Sequence, residues 1–222
     1  MRKDDCWYIE VCGQDDCSNC IRYTEMKFLL DNSGIPKDKQ KSIKLLPPDE
    51  DYDSYVALAS IKDSIVGFVE NGDNLYICSK NTGNGKTSWS IKLLLRYFNE
   101  IWAGNGLQVR GLYVNVPTLL LRLKNFNNPL SEEYKDNLMN CDLVVWDDIA
   151  SGRITDYDAT QLLSFIDYRI SEGKANIYTG NITTEKGMTE SIANPRITSR
   201  LWNNSKRIIF KAKDRRGMEV SK

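Results

Sequence analysis

The fold is decided between residues 75 and 88: Leu75-Tyr76-Ile77-Cys78, then Ser79-Lys80-Asn81-Thr82-Gly83-Asn84-Gly85, then Lys86-Thr87-Ser88. The first four residues are an apolar run short enough for a buried strand. From Thr87 to Trp102 the apolar positions Ile91, Leu94, Leu95 and Phe98 recur at helical spacing. Between strand and helix lies a glycine-bearing loop ending in Lys-Thr, the context in which such a loop cradles phosphate. Glycines let backbone N–H groups approach phosphate oxygens, and the helix N-terminus adds partial positive charge. Lys86 is placed to reach β- and γ-phosphates, and the Thr87 hydroxyl to hold Mg²⁺. The expected nucleotide contacts are Asn81, Thr82, Gly83, Asn84, Gly85, Lys86, Thr87 and Ser88. Lys80 stands where such a loop usually has its first glycine. That position opens the loop rather than lining the phosphates, so binding is expected to survive.

Outward from this loop the pattern alternates strand and helix. Leu112–Val114 reads as a strand, Pro117–Leu123 as a helix, Leu143–Trp146 as a strand and Tyr157–Ser171 as a helix. Asn176–Thr179 and Arg207–Phe210 complete five strands, and Val56–Asn71 reads as one amphipathic helix upstream. This order predicts an α/β fold, a parallel sheet covered by helices on both faces. The apolar run Leu143–Trp146 ends in Asp147-Asp148. Ligands of open α/β sheets sit at the carboxyl ends of strands. Asp147 is therefore expected to hold Mg²⁺, together with Thr87, and Asp148 to orient or deprotonate an attacking water.

The composition, 41% hydrophobic and 27% charged, is that of an ordinary folded chain. No apolar run approaches the roughly 20 residues of a membrane span. Met1-Arg2-Lys3-Asp4-Asp5 leads into no signal-peptide core, so a cytoplasmic location without membrane partners is expected, where thiols stay reduced. The absence of histidine excludes His-activated nucleophiles and His zinc ligands. The net charge of zero hides an asymmetry: residues 196–222 carry 9 basic and 2 acidic side chains. Such a segment can meet phosphates or simply be solvated.

Cys6, Cys12, Cys17 and Cys20 crowd into fifteen residues, and four thiolates suit a tetrahedral Zn²⁺. Cys17-x₂-Cys20 has a usual knuckle spacing, while the first half is looser. Because a thirty-residue segment buries little core, the metal is expected to supply its folding energy. The expected division is a zinc-binding module at 1–30, a linker at 31–55 and the α/β domain at 56–222. Pro47-Pro48 and the charge density of the middle segment point away from a packed core.

These residues resemble the DnaC/DnaI class of replicative-helicase loaders, which are AAA+ P-loop ATPases, and in particular their short phage-encoded versions; the IstB transposition ATPases are relatives. The resemblance runs from about Leu75 to Arg216. It rests on Thr82-Gly83-Asn84-Gly85-Lys86-Thr87-Ser88-Trp89, Leu143-Val144-Val145-Trp146-Asp147-Asp148-Ile149, Tyr178-Thr179-Gly180-Asn181 and Arg196-Ile197-Thr198-Ser199-Arg200-Leu201. It implies ATP hydrolysis, with Asn181 as the sensor I residue near the γ-phosphate. It further implies that Arg200 is an arginine finger acting on a neighbouring subunit in an ATP-dependent homo-oligomer, and that Arg216 is a sensor II cation, with Arg215 as the alternative. Many relatives carry Glu where Asp148 stands. A replicative helicase and single-stranded DNA are the implied partners, the N-terminal segment being the part that contacts the helicase. The chain ends soon after the fifth strand, as short loaders without a large helical lid do. Arg122, Lys124 and Phe126 mix charge with an aromatic ring, as strand-binding surfaces do. An IstB-like transposition helper and a non-catalytic zinc adaptor with a nucleotide site are the alternatives.

Overall fold

The computed structural model describes residues 6–8, 12–13, 16–41, 43, 45–125, 130–149, 154–192 and 194–214. The described elements are α1 (Ile21–Asp31), α2 (Tyr52–Asp63), α3 (Ile65–Glu70), β1 (Asn74–Cys78), α4 (Lys86–Ile101), β2 (Gly111–Asn115) and α5 (Val116–Leu123). They continue with α6 (Glu132–Asn140), β3 (Leu143–Asp147), α7 (Asp156–Ser171), β4 (Ala175–Gly180), α8 (Glu185–Ile192), α9 (Pro195–Trp202) and β5 (Lys206–Ile209). Short 3₁₀ turns lie at Lys37–Lys39 and Asp49–Asp51. Among the described residues, no helix is long and apolar enough to cross a membrane.

The five strands are parallel, in the order β2-β3-β4-β1-β5. The central strands are buried on both faces, which is why β1 and β3 are mostly apolar, while β4 sets Asn176 and Thr179 among its apolar residues. Successive residues serve opposite faces. Leu75, Ile77, Leu143, Val145, Ala175 and Ile177 join a core with α1 to α4. Tyr76, Val144, Trp146 and Tyr178 join a second core with α5 to α9. The expected α/β sheet with helices on both faces is the observed architecture.

Two local expectations are corrected. The single helix expected over Val56–Asn71 is two helices, broken at Ser64 (φ −112°, ψ 28°), whose hydroxyl donates back to Ser60 O at 3.0 Å. The break lets Leu58, Ile61, Ile65, Phe68 and Val69 all face the same core. The N-terminal third also packs more than its polarity suggests. Met26, Leu29 and Leu30 of α1, and Ile35 beyond it, are buried in the core that covers the sheet. Asp51 is buried too, because its carboxylate accepts from the backbone N–H groups of Lys211 (2.6 Å) and Ala212 (3.3–3.4 Å) just past β5.

At the amino-terminal edge of the sheet sits Arg169 of α7, fully buried, with no carboxylate bonded to it among the described residues. Its guanidinium donates to Leu138 O (3.0 Å), Cys141 O (2.8 Å), Ala175 O (2.7 Å) and Asn176 Oδ1 (2.8 Å). Asn176 also accepts from Trp146 Nε1 (3.0 Å) and donates to Asn74 Oδ1 (2.9 Å). One planar fork thus ties the end of α6 to the starts of β3 and β4, a geometry Lys does not reproduce. Arg169→Met should destabilise the protein by on the order of 3 kcal/mol, because it strands several buried carbonyls. Urea unfolding followed by circular dichroism measures this, and Arg169→Lys should recover little of the loss.

Candidate nucleotide-binding site

The loop from Ser79 to Gly85 joins β1 to α4 at the carboxyl edge of the sheet. Gly83 (φ +67°) and Gly85 (φ +98°) occupy left-handed backbone that suits glycine. Gly85, the residue before α4, has no side chain to cap the first N–H groups of the helix. Those groups and the helix dipole suit an anion. Lys86 is buried, and its ammonium donates to Asn81 O (2.9 Å) and Asn84 Oδ1 (3.3 Å), across the mouth of the loop. Asn81 and Asn84 also bind away from the loop, where their amides donate to the carbonyls of the segment after β5. Asn81 reaches Lys211 O and Ala212 O, both at 3.0 Å, and Asn84 reaches Ala212 O at 3.4 Å. Thr82 adds a hydroxyl contact to Asp214 at 3.2 Å. Ser88 lies half-buried in the first turn of α4.

Asp147 closes β3 and is 3% exposed. Its Oδ1 accepts from the hydroxyls of Thr87 (2.8 Å) and Thr179 (2.7 Å), and its Oδ2 from the hydroxyl of Tyr113 (2.6 Å). Burial, and then the Asp147 carboxylate, hold the Tyr113 phenol well above the ordinary tyrosine range, so it stays a donor. Asp148 follows in left-handed backbone (φ +59°), and its N–H donates to Thr179 Oγ1 at 3.0 Å. Thr179 therefore touches both aspartates. Neither Tyr113 nor Thr179 was singled out from the sequence. Thr179 lies two residues before Asn181, and Tyr113 is the aromatic residue of Gly111–Asn115, flanked by Leu112 and Val114.

The pair expected to hold Mg²⁺, Thr87 and Asp147, is brought together. Mg²⁺ takes few protein ligands beside phosphates and water, so one hydroxyl and one carboxylate suit it. Asn181 follows β4, and its Oδ1 is buried with no hydrogen-bond partner among the described residues. Arg200, in the last turn of α9, donates through Nε to Asp167 Oδ1 of α7 at 2.7 Å, while Arg196 takes Asp167 Oδ2 at 3.1 Å. Arg215 and Arg216 lie outside the described residues, as does Phe126. Lys124 bonds Asp158 at 2.7 Å, and Arg122 is exposed on α5.

The zinc expectation for Cys6, Cys12, Cys17 and Cys20 is not supported. Among the described residues no three metal-ligating side chains come together. Cys20 caps α1 instead, its Sγ accepting from Tyr23 N–H at 3.4 Å, and Cys17 is buried. Beyond Cys20, α1 is anchored in the main core by Met26, Leu29 and Leu30.

No family model matches the chain, and no curated protein does. Solved structures do match. A DnaC helicase loader superposes with a TM-score of 0.64 at 18% identity, covering 76% of this chain and 94% of that one. A DnaI structure superposes with a TM-score of 0.65 at 18% identity, covering 82% and 94%. A replication initiator DnaA bound to AMPPCP and single-stranded DNA superposes with a TM-score of 0.58 at 12% identity, covering 76% and 49%. With the five-stranded parallel sheet and the loop between β1 and α4, these likenesses show that the chain shares the fold of the DnaC and DnaI structures.

Proposed function

We propose that this chain binds ATP with Mg²⁺ and hydrolyses it in the service of DNA replication, acting on a replicative helicase and single-stranded DNA. The observation that carries the reading is the meeting of Thr87 and Asp147 at 2.8 Å, beside a loop whose lysine and helix N-terminus face one mouth. The shared fold with DnaC and DnaI supports the replication role, as does the DnaA structure that holds an ATP analogue and single-stranded DNA.

Lys86 would exchange Asn81 O and Asn84 Oδ1 for phosphate oxygens, keeping a buried cation paired. Thr87 and Asp147 would hold Mg²⁺, which when bound offsets charge on the phosphates. Asp148 would take the proton of the attacking water, with its backbone set by Thr179. Asn181 Oδ1, buried and unbonded among the described residues, would orient that water or the γ-phosphate region. Arg200, held by Asp167 on the α7–α9 side, would serve a neighbouring copy in an oligomer. Arg216 remains the sensor II candidate. A second reading, nucleotide binding without turnover, draws on the left-handed turn at Asp148 and its short side chain.

Lys86→Ala should abolish nucleotide binding while leaving the thermal midpoint within a few degrees of wild type; titration with a fluorescent ATP analogue beside a melt checks both. Asp148→Asn should retain binding and lose hydrolysis by about 10²-fold, the scale of general-base help. A wild type that binds tightly and never turns over would favour the second reading. Arg200→Ala should bind ATP normally and lose hydrolysis stimulated by DNA or helicase. Mixing Arg200→Ala with Lys86→Ala should restore part of that hydrolysis, because a mixed interface pairs an intact loop with an intact Arg200. No recovery in demonstrably mixed assemblies would confine Arg200 to a structural contact with Asp167.

A further inference from the structure

Tyr113 lies on β2, the edge strand next to β3. The register pairs Tyr113 with Val145 and Asn115 with Asp147. Residues two apart share a face, so Asp147 is the diagonal neighbour of Tyr113, a step that a long aromatic side chain spans. The ring packs against the core beneath α4, and the hydroxyl ends at Asp147 Oδ2 at 2.6 Å. Phenylalanine would fill the same space. The hydroxyl adds nothing to apolar packing, and what it contributes is a hydrogen bond to one carboxylate oxygen.

The backbone of Tyr113 is itself held from the other side. Its N–H, on the open side of the edge strand, donates to Ser33 O at 2.6 Å. Gly34 follows in left-handed backbone (φ +73°), so close that an added Cβ would lie 2.7 Å from Tyr113 O. Ser33 is fully buried, and its hydroxyl donates to Leu30 O at 2.7 Å and accepts from Ile35 N–H at 3.1 Å. The turn after α1 is therefore a rigid strap seated on β2, and it covers the sheet edge at the residue that reaches the site.

We propose that Tyr113 is the positioning residue that holds Asp147 ready for Mg²⁺, and that the Ser33–Gly34 strap fixes Tyr113 in turn. The inference rests on the reading of Asp147 as the magnesium carboxylate. Asp147 Oδ1 accepts from Thr87, which serves the same metal, and from Thr179, whereas Oδ2 accepts from Tyr113. Without the phenol the carboxylate is held through Oδ1 alone, by Thr87 and Thr179, and its plane can tilt about that oxygen, so each binding event must first reorder Oδ2. Groups in this supporting position typically change metal affinity by 10- to 100-fold when removed. The strap joins the N-terminal segment to the site by one backbone hydrogen bond and one side chain, so displacement of the strap would loosen Asp147.

The test is a Mg²⁺ titration of the binding of a fluorescent ATP analogue by the full chain. Tyr113→Phe should raise the half-saturating Mg²⁺ concentration by about ten-fold, while nucleotide affinity in EDTA and the thermal midpoint stay as in wild type. Gly34→Ala, which forces the strap away from Tyr113, should raise the same Mg²⁺ concentration in the same direction. If Tyr113→Phe has the wild-type Mg²⁺ requirement while wild-type binding is clearly Mg²⁺-dependent, the inference is overturned and the assignment of Asp147 stands. If wild-type nucleotide binding is indifferent to Mg²⁺, the assignment of Asp147 falls, and the inference with it. A Gly34→Ala protein that melts like wild type and keeps the wild-type Mg²⁺ requirement overturns the role of the strap.

Discussion

A carboxylate cannot be buried without donors, and Asp147 obtains three from three separate elements: Thr87 of α4, Thr179 of β4 and Tyr113 of β2. Removing such a charge from water costs several kcal/mol unless its lone pairs are met. The sheet order β2-β3-β4 is what brings those donors to one point, because both neighbours of β3 deliver a hydroxyl at its carboxyl end. The loop between β1 and α4 is fixed to the same point through Thr87. Sheet, loop and first turn of α4 therefore share one constraint, and the candidate magnesium position is its product.

The opposite edge of the sheet is held by a converse arrangement. There a buried cation, Arg169, meets backbone carbonyls and Asn176 rather than a carboxylate. The two ends of β3 and β4 are thus polar and satisfied, with apolar strand between them. Such a polar network over-determines the position of a strand in a way that interchangeable aliphatic contacts do not. This rigidity gives Asp147 a fixed place at the end of β3, and about 1 Å of slack would be enough to degrade a site built there.

A second web surrounds the loop itself. Asn81 and Asn84 donate to carbonyls at 211 and 212, while the buried Asp51 accepts the N–H groups of the same two residues. The segment beyond β5 is bonded on both sides, by the loop between β1 and α4 and by the N-terminal third of the chain. Movement of Asn84 toward or away from Lys86 would be felt at that segment, because the same side chain serves both. Loop and flanking segments share hydrogen-bond partners, which is the physical requirement for coupling between them.

Much of this was legible in the sequence, for a local reason. The run Leu75–Cys78, the glycines at 83 and 85, Lys86-Thr87 and the strand ending at Asp147 each carry their chemistry within a few neighbouring residues. Period and turn chemistry therefore suffice to place them, and the parallel α/β sheet follows from their alternation. What the sequence alone left open depends on partners far along the chain. Tyr113 meets Asp147 across 34 positions, Asp51 meets Lys211 across 160, and Ser33 meets the edge of β2 through its backbone, which no side-chain pattern advertises. The cysteine cluster is a different case. Its spacing points to a metal, yet among the described residues no three ligating side chains come together, while the apolar residues of α1 are buried in the main core. Local chemistry is written in order along the chain, whereas hydrogen bonds to a buried carboxylate and the choice of core are settled only when distant segments compete for the same space.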